Sequence, residues 1–121
     1  MSLDKKCKDR SYLYGRLLAI ADRIEYTTYD KEKDAKRITN AKRYMNAFSQ
    51  HPYTTWKVIE ERIQPYLAKL NPGRRVFYSK LLDDVQNLFT IESFEDNKRL
   101  DGLYLLGFHS QAFEMNHKDE K

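Results

Sequence analysis

The chain has 121 residues, enough for one domain and too few for two self-sufficient hydrophobic cores. Apolar residues at 40% and charged residues at 33% exclude an intrinsically disordered chain, and no run approaches the roughly 18 consecutive apolar residues of a membrane-spanning helix. Twenty-two Lys and Arg against eighteen Asp and Glu leave a net charge of +4, and the lone Cys7 excludes an internal disulfide.

The N-terminus, MSLDKKCKDR, is polar where a signal peptide would be apolar, so a cytoplasmic location is expected. Residues 1–10 are assigned to a frayed end. From about Ser11 to Tyr26, Leu13, Leu17, Ile20, Ala21 and Ile24 recur at the spacing of one helical face, with Arg16, Asp22, Arg23 and Glu25 elsewhere on the cylinder. The run Thr27-Thr28-Tyr29-Asp30 weakens helix propensity and ends this element. A second helix is predicted from Lys33, with Ile38, Ala41, Met45 and Phe48 on its apolar face, closing at His51 before Pro52. Pro52 suits the first turn of a third helix, whose seam is Trp56, Ile59, Ile63, Tyr66, Leu67 and Leu70. Pro65 should kink or break it near Arg62.

Asn71-Pro72-Gly73 is the strongest punctuation in the chain and should start a fourth helix, with Phe77, Leu81, Val85, Leu88 and Phe89 on one side, ending between Thr90 and Ser93. The last helix is predicted from Asp96-Asn97 through Leu100, Leu103, Tyr104, Leu106 and Phe108 to Phe113. Being apolar over more than half its circumference, it is placed at the centre of the bundle. Gly107 costs about 1 kcal/mol relative to alanine within a helix, so it should admit another backbone closely. Residues 115–121 are assigned to a frayed tail. The expectation is a single all-α domain over 1–121, a compact bundle of about five helices with antiparallel neighbours joined by short loops.

No catalytic constellation is found. Cys7 sits in a charged terminus, and His51, His109 and His117 match no metal-binding spacing. The pairs Glu60-Glu61 and Asp83-Asp84 are adjacent in sequence and diverge on a helix. No enzyme activity, metal, cofactor or small-molecule substrate is expected.

Charge is more informative. Between Lys31 and Arg43 six basic residues face Glu32 and Asp34, an excess of four that equals the net charge of the whole chain. On a helix, Lys33, Lys36, Arg37, Asn40 and Arg43 form a stripe opposite the apolar face, suited to tracking phosphates. Arg74, Arg75 and Lys80 would extend it if the fourth helix lies alongside, as would Lys57 and Lys69. Tyr44 and Tyr53 could stack on bases beside it, yet aromatic residues at helical spacing more often belong to the core. The stripe reads equally as a solvated helix face, and the sequence leaves both open.

Three segments carry a family resemblance. NAKRYMNAFSQHP, from Asn40 to Pro52, is similar to the Asn-Ala, basic, Tyr, small-residue, Pro pattern in the C-terminal part of the large-subunit family of type I-C CRISPR surveillance complexes (Cascade). YLYGRLLAIADRIE resembles that family's Tyr-Leu-x-Gly-Arg-Leu helix, and LDGLYLLGFHSQAF its closing Gly-x-Phe-x-Leu-Gly-Tyr helix with a downstream glutamine, here Gln111. The three occur in the family's order. Phe108 stands where the family commonly has tyrosine, and His109-Ser110 departs from its usual aromatic and histidine pair.

The resemblance implies either the small subunit that internal translation initiation produces from this region, whose methionine start this chain shares, or an excised domain of the large subunit. It further implies a non-catalytic role: contact with other Cascade subunits and with further copies of the chain itself, and a hold on target or displaced DNA beside the guide RNA. Base pairing reads sequence in such complexes, so backbone-directed charge suffices. Tyr12, Tyr14, Tyr53 and the end of the last helix are candidate assembly surfaces. The alternative is a protein-protein scaffold without nucleic-acid contact.

Overall fold

The computed structural model describes residues 2–119, with side chains through Asn116. Eight helices and no strand occur among them, so the all-α expectation holds. Helix α1 (Arg10–Tyr26) starts at Asp9, whose carboxylate accepts the amides of Ser11 at 2.9 Å and Tyr12 at 3.3 Å. Every residue from Ser11 to Ala21 is buried, polar ones included. That places α1 at the centre of the fold, not the last helix. The last, α8 (Leu103–Asp119), keeps Leu103, Leu105, Leu106 and Phe113 exposed.

Glycine explains how α1 and α8 pack. A Cβ on Gly107 would lie 2.1 Å from the Tyr12 carbonyl oxygen, and one on Gly15 would lie 1.9 Å from that of Tyr104. Each helix therefore presses its backbone onto the other, as expected for Gly107 and unforeseen for Gly15. Tyr12 meets Gly107, Arg16 meets Gln111 and Arg23 meets Asn116, so α1 and α8 run in the same direction. This most intimate pair is parallel because its partners come from opposite ends of the chain, so no short loop constrains their sense.

The second predicted helix is two short ones, α2 (Asn40–Arg43) and α3 (Met45–Gln50), and residues 31–36 form turns. The Asp30 carboxylate takes the amides of Glu32 at 2.8 Å and Lys33 at 2.9 Å, but the turns that follow do not continue as helix, and a fresh start is made at Thr39, which caps α2 by accepting from the Lys42 amide at 3.2 Å. Ile38, placed by periodicity in the core, is 58% exposed.

Helices α4 (Pro52–Arg62) and α5 (Gln64–Lys69) break at Ile63, as Pro65 requires. Helix α6 (Pro72–Gln86) is capped by Asn71, whose side chain accepts from the Arg74 amide at 2.8 Å. It buries Tyr78, Leu82 and Val85, whereas Phe77, assigned to that face, is 43% exposed. Thr90 to Ser93 is no simple terminus. Thr90 and Ser93 form a capping box that starts α7 (Ile91–Glu95), a helix too short for periodicity to reveal.

Residues 96–102, predicted helical, are irregular. The Arg10 guanidinium donates there to the carbonyls of Ser93 at 3.1 Å, Asp96 at 2.7 Å and Lys98. Contacts form near both ends. The Asp4 amide donates to the Tyr12 hydroxyl at 2.9 Å, and α8 continues to Asp119 with Met115 buried. Met1 and residues 120–121 lie outside the described residues.

Candidate nucleic-acid interface

The basic segment is held by a buried carboxylate. Glu25, only 1% exposed, closes α1 and accepts at 2.9 Å from both the backbone amide and the side-chain amide of Asn40, and also from the Tyr29 hydroxyl. Thr39 donates to Asp22 close by. Burial and the bond to Glu25 push the Tyr29 phenol above its ordinary range. Residues 27–39 thus leave and rejoin the core at fixed points, presenting a polar loop between them.

Arg37 is tied into that loop by several contacts. It reaches Asp34 at 3.4 Å, donates to the Tyr66 hydroxyl at 3.0 Å and lies 4.9 Å from the centre of the Tyr29 ring. The bond to Tyr66 holds its guanidinium above the usual value. Asp34 accepts from the Asp30 amide at 2.9 Å. Asp30 and Asp34 are therefore engaged in holding the loop.

Arg37, Lys31 and Arg23 share a surface groove of about 610 Å³ with Arg74 from α6. Asp30 and Asp34 are its acidic residues, and Tyr26, 58% exposed, is an aromatic wall. Four cations against two carboxylates give the groove a positive balance. Among described residues of the predicted stripe, then, the fold brings Arg37 and Arg74 together.

The others divide. Lys33 and Lys36 are exposed on the turns and Arg43 at the end of α2, so they do not form a helical row. Asn40 is a structural residue, committed to Glu25. Arg75 turns back to the carbonyls of Ala68 at 3.0 Å and Leu70 at 2.9 Å, closing the end of α5. Lys80 pairs with Asp84 at 3.4 Å beside a different cavity. Lys57 and Lys69 sit over Tyr53 and Tyr66, each 5.2 Å from the ring centre. Tyr44 and Tyr53 are half-buried, Tyr44 beneath Arg62 and Tyr53 against Phe94, which removes them from the exposed stacking role. Tyr12 and Tyr14 are buried and unavailable as assembly surfaces.

Arg23 and Tyr26 were not singled out from the sequence, and Lys31 was counted in the basic window without a place in the stripe. Tyr26 reads there as the last residue of a core helix, and nothing local marks it as exposed. His51 and His109 are exposed, and the described residues contain no group of three or more His, Cys, Asp and Glu placed to hold a metal ion. The side chain of His117 lies outside those described. Glu60, Glu61 and Asp83 line one open depression between α4 and α6, which adjacency in sequence does not reveal. No described helix is long and apolar enough to cross a membrane.

The family described as CRISPR-associated protein (Cas_Csd1) matches residues 1–115. The chain belongs to this CRISPR-associated family. No curated protein matches it. The three segments that carry the resemblance in sequence meet one another in this Cas_Csd1 chain. Arg16 of the first donates to Gln111 of the last at 2.8 Å, Glu25 of the first accepts from Asn40 of the second, and the Leu100 amide of the last donates to the Ser49 carbonyl of the second at 2.8 Å. The recognisable residues build the core, while the basic groove lies mostly on the loop between them.

Proposed function

We propose that this chain acts as the non-catalytic small subunit of a type I-C CRISPR RNA-guided surveillance complex (Cascade), holding the backbone of target or displaced DNA in the cytoplasm. Membership of a CRISPR-associated family supports the setting. The observation that carries the DNA role is the convergence of Arg37 and Lys31 with Arg74 on one groove. Their charges add over a surface that strand phosphates can follow, beside an exposed tyrosine ring able to stack on a base.

The test replaces Lys31 and Arg74 together by glutamine, sparing Arg37 because its bonds hold the loop. These exposed changes should alter stability by less than about 0.5 kcal/mol each. DNA affinity should fall, and the slope of log affinity against log salt should flatten by roughly 0.9 per lost duplex contact, or about 0.7 on a single strand. Unchanged affinity and slope in a folded variant would remove the DNA role.

A second reading, a protein scaffold, is favoured by a different observation: Leu103, Leu105, Leu106 and Phe113 leave α8 with exposed apolar surface. It would lead if the glutamine variant bound DNA as the parent does.

A further inference from the structure

A cavity of about 410 Å³, distinct from the basic groove, opens between the N-terminal segment, α1, α6 and α8. Arg16 lines it and is only 4% exposed. Its Nε donates to the Gln111 carbonyl oxygen at 2.8 Å, and its Nη1 has no hydrogen-bond partner among the described residues. An unsatisfied buried cationic donor is costly, and burial pushes this guanidinium below its ordinary pKa. Phe77, Leu81, Leu88 and Met115 give the wall an apolar part, and Lys5 and Lys80 line it together with the carboxylates Asp84 and Glu114.

We propose that this cavity is a binding site for a monocarboxylate with an apolar body. A planar carboxylate matches a guanidinium edge and would satisfy the orphan Nη1, while the body would cover the Phe77 ring that α6 leaves exposed. Charge sets the valence. Lys80 is paired with Asp84 at 3.4 Å and Lys5 with Glu114 at 3.7 Å, whereas Arg16 feels Asp4 and Glu114 without a hydrogen bond to either, so its guanidinium edge is left for a ligand. One guanidinium edge beside an apolar wall suits a single carboxylate, and a phosphate dianion would be left short of partners. This site is separate from the basic groove and does not rest on DNA binding.

Ligand-observed NMR on the isolated chain tests it with two probes, 3-phenylpropionate for a free acid and the capped peptide N-acetyl-Leu-Glu-Leu-amide for an acidic side chain on a partner. Each is compared with its uncharged form, phenylpropionamide or the glutamine peptide. At least one acid should bind, roughly tenfold or more tighter than its amide, the scale of one charge-assisted hydrogen bond, and the tighter of the two names the source. Arg16→Met should remove the preference. Methionine replaces an unpaired buried charge with an apolar group, so the variant is expected to fold. Should it fail to fold, the acid-to-amide comparison on the parent chain decides alone. Equal binding of acid and amide, binding of neither acid, or displacement of the probe by inorganic phosphate at equal concentration would overturn the proposal.

Discussion

A methyl group added at Gly107 would stand 2.1 Å from the Tyr12 carbonyl oxygen, well inside van der Waals contact and against backbone that cannot rotate aside. Gly107→Ala should therefore destabilise the chain by about 1–3 kcal/mol or more, despite the gain of about 1 kcal/mol that alanine brings to a helix. Gly102→Ala, with nothing within 4 Å of the new atom, should be neutral to within about 0.5 kcal/mol. Urea denaturation of the pair measures both, and equal stability would show that α1 and α8 do not pack backbone to backbone. The close approach at Gly107 was legible in sequence because glycine in an apolar helical run is costly unless used. Arg16 and Glu25 were not, since periodicity sorts residues by polarity. Their burial depends on Gln111 and Asn40, which no local window contains.

Helices bounded by proline and asparagine were legible at the scale of elements, because Pro52, Pro65 and Asn71 act on their own backbone. The segment from Lys33 to Arg37 was not. Ile38, Ala41, Met45 and Phe48 fit a helical period, yet the turns after Asp30 do not propagate and the helix starts afresh at Thr39. Thr39, a good capping residue, was the available signal. Asp30 makes the loop pH-sensitive in a defined direction. The amides of Lys33 and Glu32 hold its carboxyl below the usual value, so its contribution is present above the ordinary aspartate pKa and is lost as pH falls through the lower folded value. The amide resonances of Glu32 and Lys33 should titrate together, with a midpoint below about 3.9. A midpoint at or above that value would show that the turn does not form. Glu25→Ala tests the other anchor. It leaves the Asn40 amides without their acceptor, and should cost about 1–3 kcal/mol and weaken DNA binding although no basic residue has changed. Native affinity in that variant would mean that the loop works without being held.

Taken whole, the molecule was legible as an all-helical fold and illegible in its arrangement. Apolar content along the last helix suggested a central position, but half of that surface faces outward and α1 occupies the centre. Composition reports how much apolar surface an element has and says nothing of which neighbour covers it. Deleting residues 103–121 should therefore abolish cooperative unfolding rather than trim one helix, because α1 would lose the surface its backbone rests on. Circular dichroism during thermal unfolding checks this, and a sharp transition in the shortened chain would show that α1 to α7 stand alone.

The parallel contact between α1 and α8 sets an order of events during synthesis. Arg16 leaves the ribosome 95 residues ahead of Gln111, its hydrogen-bond partner. At roughly 5–20 residues per second that is a wait of about 5–20 seconds, during which the central, most buried helix of the chain lacks its closest cover. Helices α2 to α6 emerge in the interval and can shelter part of it. The face reserved for α8 stays open until the end, so a nascent chain stalled before Gly107 presents an adhesive surface to chaperones and to other nascent chains.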